Sequence, residues 1–282
     1  MNIFFAILLG GLTSSLYALS TSMQALEARR SSTSTALRAS LLGGLVRRPL
    51  WLLGTAAGLI AWPIQALALS LASVAVVSPA LGLGLIVLLV LGVRLLHERI
   101  GVREIGGAVA IAGAIAALGW AAPPDSASFT RAGQVGVGVL LGLAAAAPYL
   151  LRIFGGAGGL ATSISAGFAW AAVGLATVEI DVAIADHHWL AGLAWGAGVA
   201  AAGWSGLLSE MTALQTWPAT RSIPVVFGLE MSIPAALAPI LTLVRPTHAV
   251  TFGAALAVAV AGAALLGSSR AVARAAHPLT EP

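Results

Sequence analysis

The chain is a series of long apolar runs broken by short polar clusters. Runs of roughly full span length occupy 3–22, 50–71, 75–94, 103–121, 132–151, 159–179, 189–214, 222–244 and 247–267. A helix rises about 1.5 Å per residue, so about 20 such residues cross the hydrocarbon of a bilayer. The runs are continuous and rich in Ala, Leu and Gly, whereas a transmembrane barrel needs alternating segments of about ten residues. The pattern therefore predicts an all-α integral membrane protein with nine full spans. A degenerate further helix is expected at about 32–47, inside "EARRSSTSTALRASLLGGLVRRP". The densest polar cluster, Arg94, Glu98, Arg99, Arg103 and Glu104, separates two runs. It reads as a short hairpin loop whose charges stay in water.

Composition agrees with this pattern. Of 282 residues 59% are hydrophobic and 9% charged, with a mean hydropathy of +0.98, against about 25% charged in soluble domains. The partner this implies is the lipid bilayer. The chain has no cysteine, which excludes disulfides and Cys-based metal sites. The net charge of +4 is spread over loops and forms no nucleic-acid-binding stripe. The first residues, "MNIFFAILLGGLTSSLYALS", lack a positive n-region and read as a retained helix rather than a secretory signal.

Arginines then set the orientation, because cytoplasmic loops of membrane proteins are enriched in them. Nine spans with residues 24–49 inside place Arg29, Arg30, Arg38, Arg47, Arg48, Arg94, Arg99, Arg103, Arg152, Arg221, Arg270 and Arg274 in the cytoplasm. Only Arg131 and Arg245 face out, with the acidic loop "EIDVAIADHH". The expected location is a cell membrane, with the tail at 268–282 cytoplasmic.

An internal repeat is visible. "LLGGLTSSLY" at 8–17 matches "LLGLAAAAPY" at 140–149 and aligns Tyr17 with Tyr149, the two tyrosines of the chain. "QALALSLASVAVVSP" at 65–79 matches "EMTALQTWPATRSIP" at 210–224, which aligns Gln65 with Glu210 and Pro79 with Pro224. The repeats would cover 1–121 and 132–267. Five elements in each half would need ten crossings, whereas the arginines favour nine; both counts stay open here.

The stretch "SVAVVSPALGLGLIVLLVLGVRLLHERIGVREIGGAVAIAGAIAAL" resembles the drug/metabolite transporter superfamily, in particular its EamA-like repeat. The resemblance rests on Pro79, the Leu96-x-Glu98-Arg99 turn, Glu104, Gly106 and Gly113, with His97 where a glycine is usual. The second half keeps Pro224 and Gly253 and lacks the Glu-Arg turn. The "ALxxxxATxxxP" pattern at 213–224 is also similar to the NIPA-type magnesium transporter branch. The resemblance implies a bundle of two inverted five-helix repeats around a central cavity, with alternating access.

Candidate chemistry follows from polar groups at membrane depth, where a charge costs on the order of 2.5–3.5 kcal/mol at a helix centre. Glu230 sits near the middle of its span and Glu210 about a turn from the end of its own. Both suit a proton or cation pathway. Gln65, the repeat partner of Glu210, reads as a substrate ligand or as interhelical glue. Thr13, Tyr17, Ser20 and Gln24 share one face of the first helix. Tyr149 joins them through the repeat, and Trp204 is a candidate for the cavity wall. Trp51, Trp120 and Trp189 fit an interfacial belt. Gly54/Gly58, Gly138/Gly142 and Gly192/Gly196 fit close helix packing. His187 and His188 beside Asp181 and Asp186 read as a solvated loop, with a metal site conceivable. No ATPase motif or catalytic constellation occurs, so no cofactor and no enzyme activity are expected. The leading expectation is a secondary transporter or facilitator for a small metabolite or drug-like solute. The alternatives are a magnesium transporter and a non-transporting receptor or assembly protein. A homo-oligomer is left open.

Overall fold

Among the described residues nine long helices and one short one make up the bundle. The computed structural model describes residues 2–72, 74–121, 129–156 and 158–267; the tail at 268–282, with Arg270 and Arg274, lies outside them. The helices are α1 (Asn2–Arg29), α2 (Ala39–Leu45), α3 (Pro49–Leu71), α4 (Val74–Arg94), α5 (Val102–Ala121), α6 (Arg131–Ile153), α7 (Gly159–Ala185), α8 (Trp189–Thr216), α9 (Ala219–Thr242) and α10 (Ala249–Gly267). Among the described residues there is no strand, and eight helices are long and apolar enough to cross a membrane. The ninth long helix, α4, adds a shorter apolar stretch, Pro79–Arg94. These helices make the chain a multi-pass membrane protein in contact with lipid.

The degenerate element expected at 32–47 is a 3-10 turn at Thr33–Thr35 followed by α2, which at seven residues is far too short to span. The "EIDVAIADHH" segment is not a loop. Its first seven residues are the last two turns of α7.

Local chemistry sets the ends. Pro49 opens α3, where its missing N–H costs nothing. Thr130 caps α6 by accepting from Gly133 N at 3.1 Å. His97 takes φ +54 in the α4–α5 loop, a left-handed conformation that glycine adopts without penalty. That is a physical reason for a glycine before the Glu-Arg turn. His97→Gly is expected to raise stability by ~0.5–1 kcal/mol, read as a higher melting temperature in detergent.

Contacts between helices fix their directions. Gly54 of α3 backs onto Ser20 of α1, and a Cβ there would lie 2.8 Å from the Ser20 carbonyl. Gln24 reaches Thr55 at 3.1 Å, whereas Ala6 shares a buried cluster with Ala68. α1 and α3 are therefore antiparallel. α1 and α4 are parallel, because Gly10 meets Val77 and Ala80 while Ser14 meets Gly84. In the second half Gly206 meets Ala169, Gly203 meets Val173 and Gly192 meets Ala183, so α7 and α8 are antiparallel. Ser163 bonds Ser222 and Gly167 abuts Val226 and Leu229, so α7 and α9 are parallel. Ser205 reaches the Ala145 carbonyl and Gly198 abuts Leu141, so α6 runs with α8. It also runs in the same direction as α1.

Two faces result. Ten of the twelve described arginines gather at one, where α1, α4, α6, α8 and α10 end and α3, α5, α7 and α9 begin. Arg131 and Arg245 lie at the other. On the arginine face Glu27 pairs with Arg30 at 2.7 Å and Arg48 at 2.9 Å, which ties the end of α1 to the start of α3.

Candidate functional site: a cavity between the two halves

Six of the helices enclose a cavity of about 550 Å³ at membrane depth. α1 contributes Ser14, Tyr17, Ser20, Thr21 and Gln24; α3 contributes Thr55, Trp62 and Gln65. α4 supplies an apolar wall at Leu81, Leu85 and Leu88. From the second half come Trp170 of α7, Leu207 and Glu210 of α8, and Ile223, Phe227, Glu230 and Met231 of α9. α5, α6 and α10 do not line it.

Glycine makes the close approaches around this space. A Cβ at Gly84 would sit 2.8 Å from the Ser14 side chain and 2.9 Å from its carbonyl oxygen, a distance real side chains do not keep. Ser14 donates across that contact to the Ala80 carbonyl at 3.0 Å. Its hydroxyl thus serves α1–α4 packing more than the cavity.

The two carboxylates differ in their support. Glu210 accepts a hydrogen bond from the Trp170 indole N–H at 2.8 Å. Glu230 stands at the middle of α9 and has neither a hydrogen bond nor an ion pair among the described residues. It shares the cavity wall with Glu210 and Tyr17 and interacts electrostatically with both. Tyr17 and Gln65 are likewise free of protein hydrogen-bond partners among the described residues. Among the described residues no arginine pairs with either carboxylate. A carboxylate held away from water without a cation is costly, so this arrangement is suited to taking up a proton or a positively charged group from the cavity.

Prolines shape the helix that carries Glu230. Pro224, Pro234 and Pro239 all lie inside α9. Each removes a backbone N–H and frees the carbonyl four residues earlier. For Pro234 that carbonyl belongs to Glu230 itself.

A buried apolar cluster on the arginine face adjoins the cavity and shares Leu207 and Ile223 with its lining. Leu96, Leu208, Met211, Leu214 and Ala219 form one buried cluster there with Leu41, Leu42 and Trp51. Glu98 reaches past it to the start of α9. Its carboxylate accepts from Ala219 N at 2.7 Å, from Thr220 N at 2.9 Å, and from the Thr220 hydroxyl, and it pairs with Arg29 of α1. Glu104 pairs with Arg221 at 2.6 Å, with the two side chains 6% and 9% exposed.

Several expectations are corrected by this geometry. The Glu98 and Glu104 side chains do not stay in water; the bare N–H groups of α9 and the Arg221 guanidinium draw them inward. Thr13 is buried in packing with its hydroxyl unpaired and does not line the cavity; its neighbour Ser14 does. Tyr149 and Trp204 lie on exposed surfaces, each 45% accessible, and do not line the cavity. Trp51 is not interfacial. It is buried and its indole N–H points at the Met211 sulfur at 3.3 Å. Of the glycine pairs, Gly54 and Gly58 make tight helix contacts, whereas Gly138, Gly142 and Gly196 face open space. Gly113 does too, and Gly106 meets only the tip of Leu265. Asp181, Asp186, His187 and His188 do not converge, and no group of three or more acidic or histidine side chains able to hold a metal occurs among the described residues.

Tyr17, Ser20, Gln65, Glu210 and Glu230 do meet in one cavity. Trp170 and Phe227 were not anticipated there. Trp170 had one available signal: it sits in the middle of a predicted span, away from either interface. Comparison with protein-family models, with curated proteins and with solved structures finds no match to this chain.

Proposed function

We propose that this chain is a secondary transporter or facilitator that moves a small solute across a cell membrane by alternating access. The observation that carries the reading is Glu230, a carboxylate without a protein partner among the described residues, facing a cavity of about 550 Å³ midway through the bundle. Such a group is expensive in a structural bundle and useful in a pathway. A receptor or assembly protein has no need of it.

Helix pairing supports an inverted repeat, in a register different from the tyrosine match. α1 is antiparallel to α3 and parallel to α4; α7 is antiparallel to α8 and parallel to α9. Each of α1, α3, α4 and α5 runs opposite to α7, α8, α9 and α10 respectively. We therefore pair α1 with α7. α6 runs the same way as α1 and cannot be its inverted counterpart. In this register Gln65 of α3 and Glu210 of α8 remain related, and Tyr17 and Tyr149 do not. Repeats of this kind place substrate sites at their interface. The arginine face is the cytoplasmic one under the positive-inside rule.

A small organic solute fits the aromatic and apolar wall best. Magnesium is the second reading, favoured by two carboxylates and an amide oxygen in one cavity, because Mg²⁺ takes oxygen ligands and keeps several waters. The two are separated in proteoliposomes with an entrapped Mg²⁺ indicator. Protein-dependent Mg²⁺ entry that disappears in Glu230→Gln establishes the magnesium reading. Without Mg²⁺ entry, a thermal-shift screen of metabolites is expected to yield solutes that stabilise the wild type and not Glu230→Gln. If no solute does, the cavity is not a transport site.

A further inference from the structure

On the transport reading, we propose that Glu98 is a positioning residue: it latches the first turn of α9 to α1 and so closes the cavity at the arginine face. The latch joins the two halves. Glu98 follows α4, while its donors lie at the end of α1 and the start of α9, 69 and 121 residues away. α9 has no cap of its own, because Pro218 stands at its N-cap without a side-chain hydrogen bond. Two of its orphan N–H groups, Ala219 and Thr220, instead point at the Glu98 carboxylate, a charge-assisted arrangement that the helix dipole strengthens. The seat is built for this contact. The Glu98 N–H is fixed to the Gly92 carbonyl at 2.9 Å, and a Cβ on Gly92 would collide with the Thr220 methyl.

Two carboxylates of this loop region hold the same turn of α9, and they differ in how easily they let go. The Glu104–Arg221 pair is buried on both sides, so separating it strands charges away from water. In the Arg29–Glu98 pair the arginine is 28% exposed and Glu98 only 5%, so release comes on the Arg29 side, where water can take over the guanidinium while the N–H groups of α9 still hold the Glu98 carboxylate. Glu104–Arg221 is thus the pivot and the Arg29–Glu98 contact the releasable bolt. Releasing it lets the start of α9 swing off α1, and Ile223, which both packs on the apolar plug and lines the cavity, moves with it. Glu230 lies on the same helix, so occupancy of the cavity and state of the latch act on one element.

The test uses the absence of native cysteine. Thr21→Cys on α1 reports the cavity from one half, and its reaction with a membrane-impermeant maleimide is followed in proteoliposomes from each face separately. The latch is weakened by Arg29→Gln and, independently, by Thr220→Val, both milder than Glu98→Ala, which endangers folding. Each variant is expected to raise labelling from the arginine face by about tenfold, the loss of one charge-assisted hydrogen bond, with labelling from the other face unchanged or lower. Glu98→Asp, which keeps the charge, should return a rate nearer the parent. Unchanged labelling from the arginine face in folded variants overturns the latch. So does an equal rise from both faces with a lowered melting temperature, the signature of mere loosening. If the parent reporter proves reachable from one face only, the transport reading fails, while the latch is still judged by the change in the variants.

Discussion

Glu230→Gln is expected to stop solute movement and to make the protein more stable. The amide keeps the size and shape of the side chain and removes a charge that has no partner among the described residues. A carboxylate at helix centre costs on the order of 2.5–3.5 kcal/mol on insertion scales, and the cavity relieves part of that. A gain of ~1–2 kcal/mol is therefore expected, several degrees in melting temperature at this chain length. Glu210→Gln should gain less, because the Trp170 indole already satisfies one of its oxygens and the amide oxygen can still accept that bond. Thermal melts of the purified variants in one detergent, beside flux in proteoliposomes, read both effects. Opposite signs for stability and flux at Glu230 mark a residue kept for function at a cost to the fold. A drop in melting temperature would mean that Glu230 is a structural partner.

The second large effect concerns Arg221. In Arg221→Ala, Glu104 remains buried with the Gly101 N–H at 2.8 Å and no cation. Removing one member of a buried ion pair costs about 3–5 kcal/mol, enough to reduce the yield of folded protein sharply. The double variant Arg221→Met with Glu104→Gln is expected to recover most of that loss. It removes both charges, keeps an acceptor for Gly101 and replaces the guanidinium with apolar volume. A double-mutant cycle on melting temperature isolates the pair. Equal and additive losses would show that the pair contributes nothing beyond packing.

These two sites differ in how far they could be read from the chain alone. Glu210, Glu230 and Gln65 were legible because depth in a span is a local property, and a polar group there is conspicuous against its neighbours. The helices were legible for the same reason, down to α2, whose shortness shows in its broken apolar run. Glu98 and Glu104 were misjudged as solvated because their neighbours in sequence are charged, while what buries them lies on other helices. The N–H groups that Glu98 caps belong to Ala219 and Thr220, and no periodicity links positions so far apart. Tyr149 failed through the repeat. The match "LLGGLTSSLY" to "LLGLAAAAPY" rests on Leu, Gly and Ala, which any membrane helix uses, and α1 and α6 run in the same direction. The match of Gln65 to Glu210 instead joins α3 to α8, which run in opposite directions, and both residues line the cavity.

The central claim, a pathway opened alternately to the two sides of the membrane, is tested most directly in a single-cysteine protein. Val173→Cys on α7 lines the cavity from the second half, in a chain otherwise free of cysteine. A membrane-impermeant thiol reagent is applied to proteoliposomes of known orientation, from outside in one sample and from the lumen in another. The pathway requires the cysteine to react from both sides, at rates that a cavity-binding solute lowers together. Reaction from one side alone, or from neither, would contradict it.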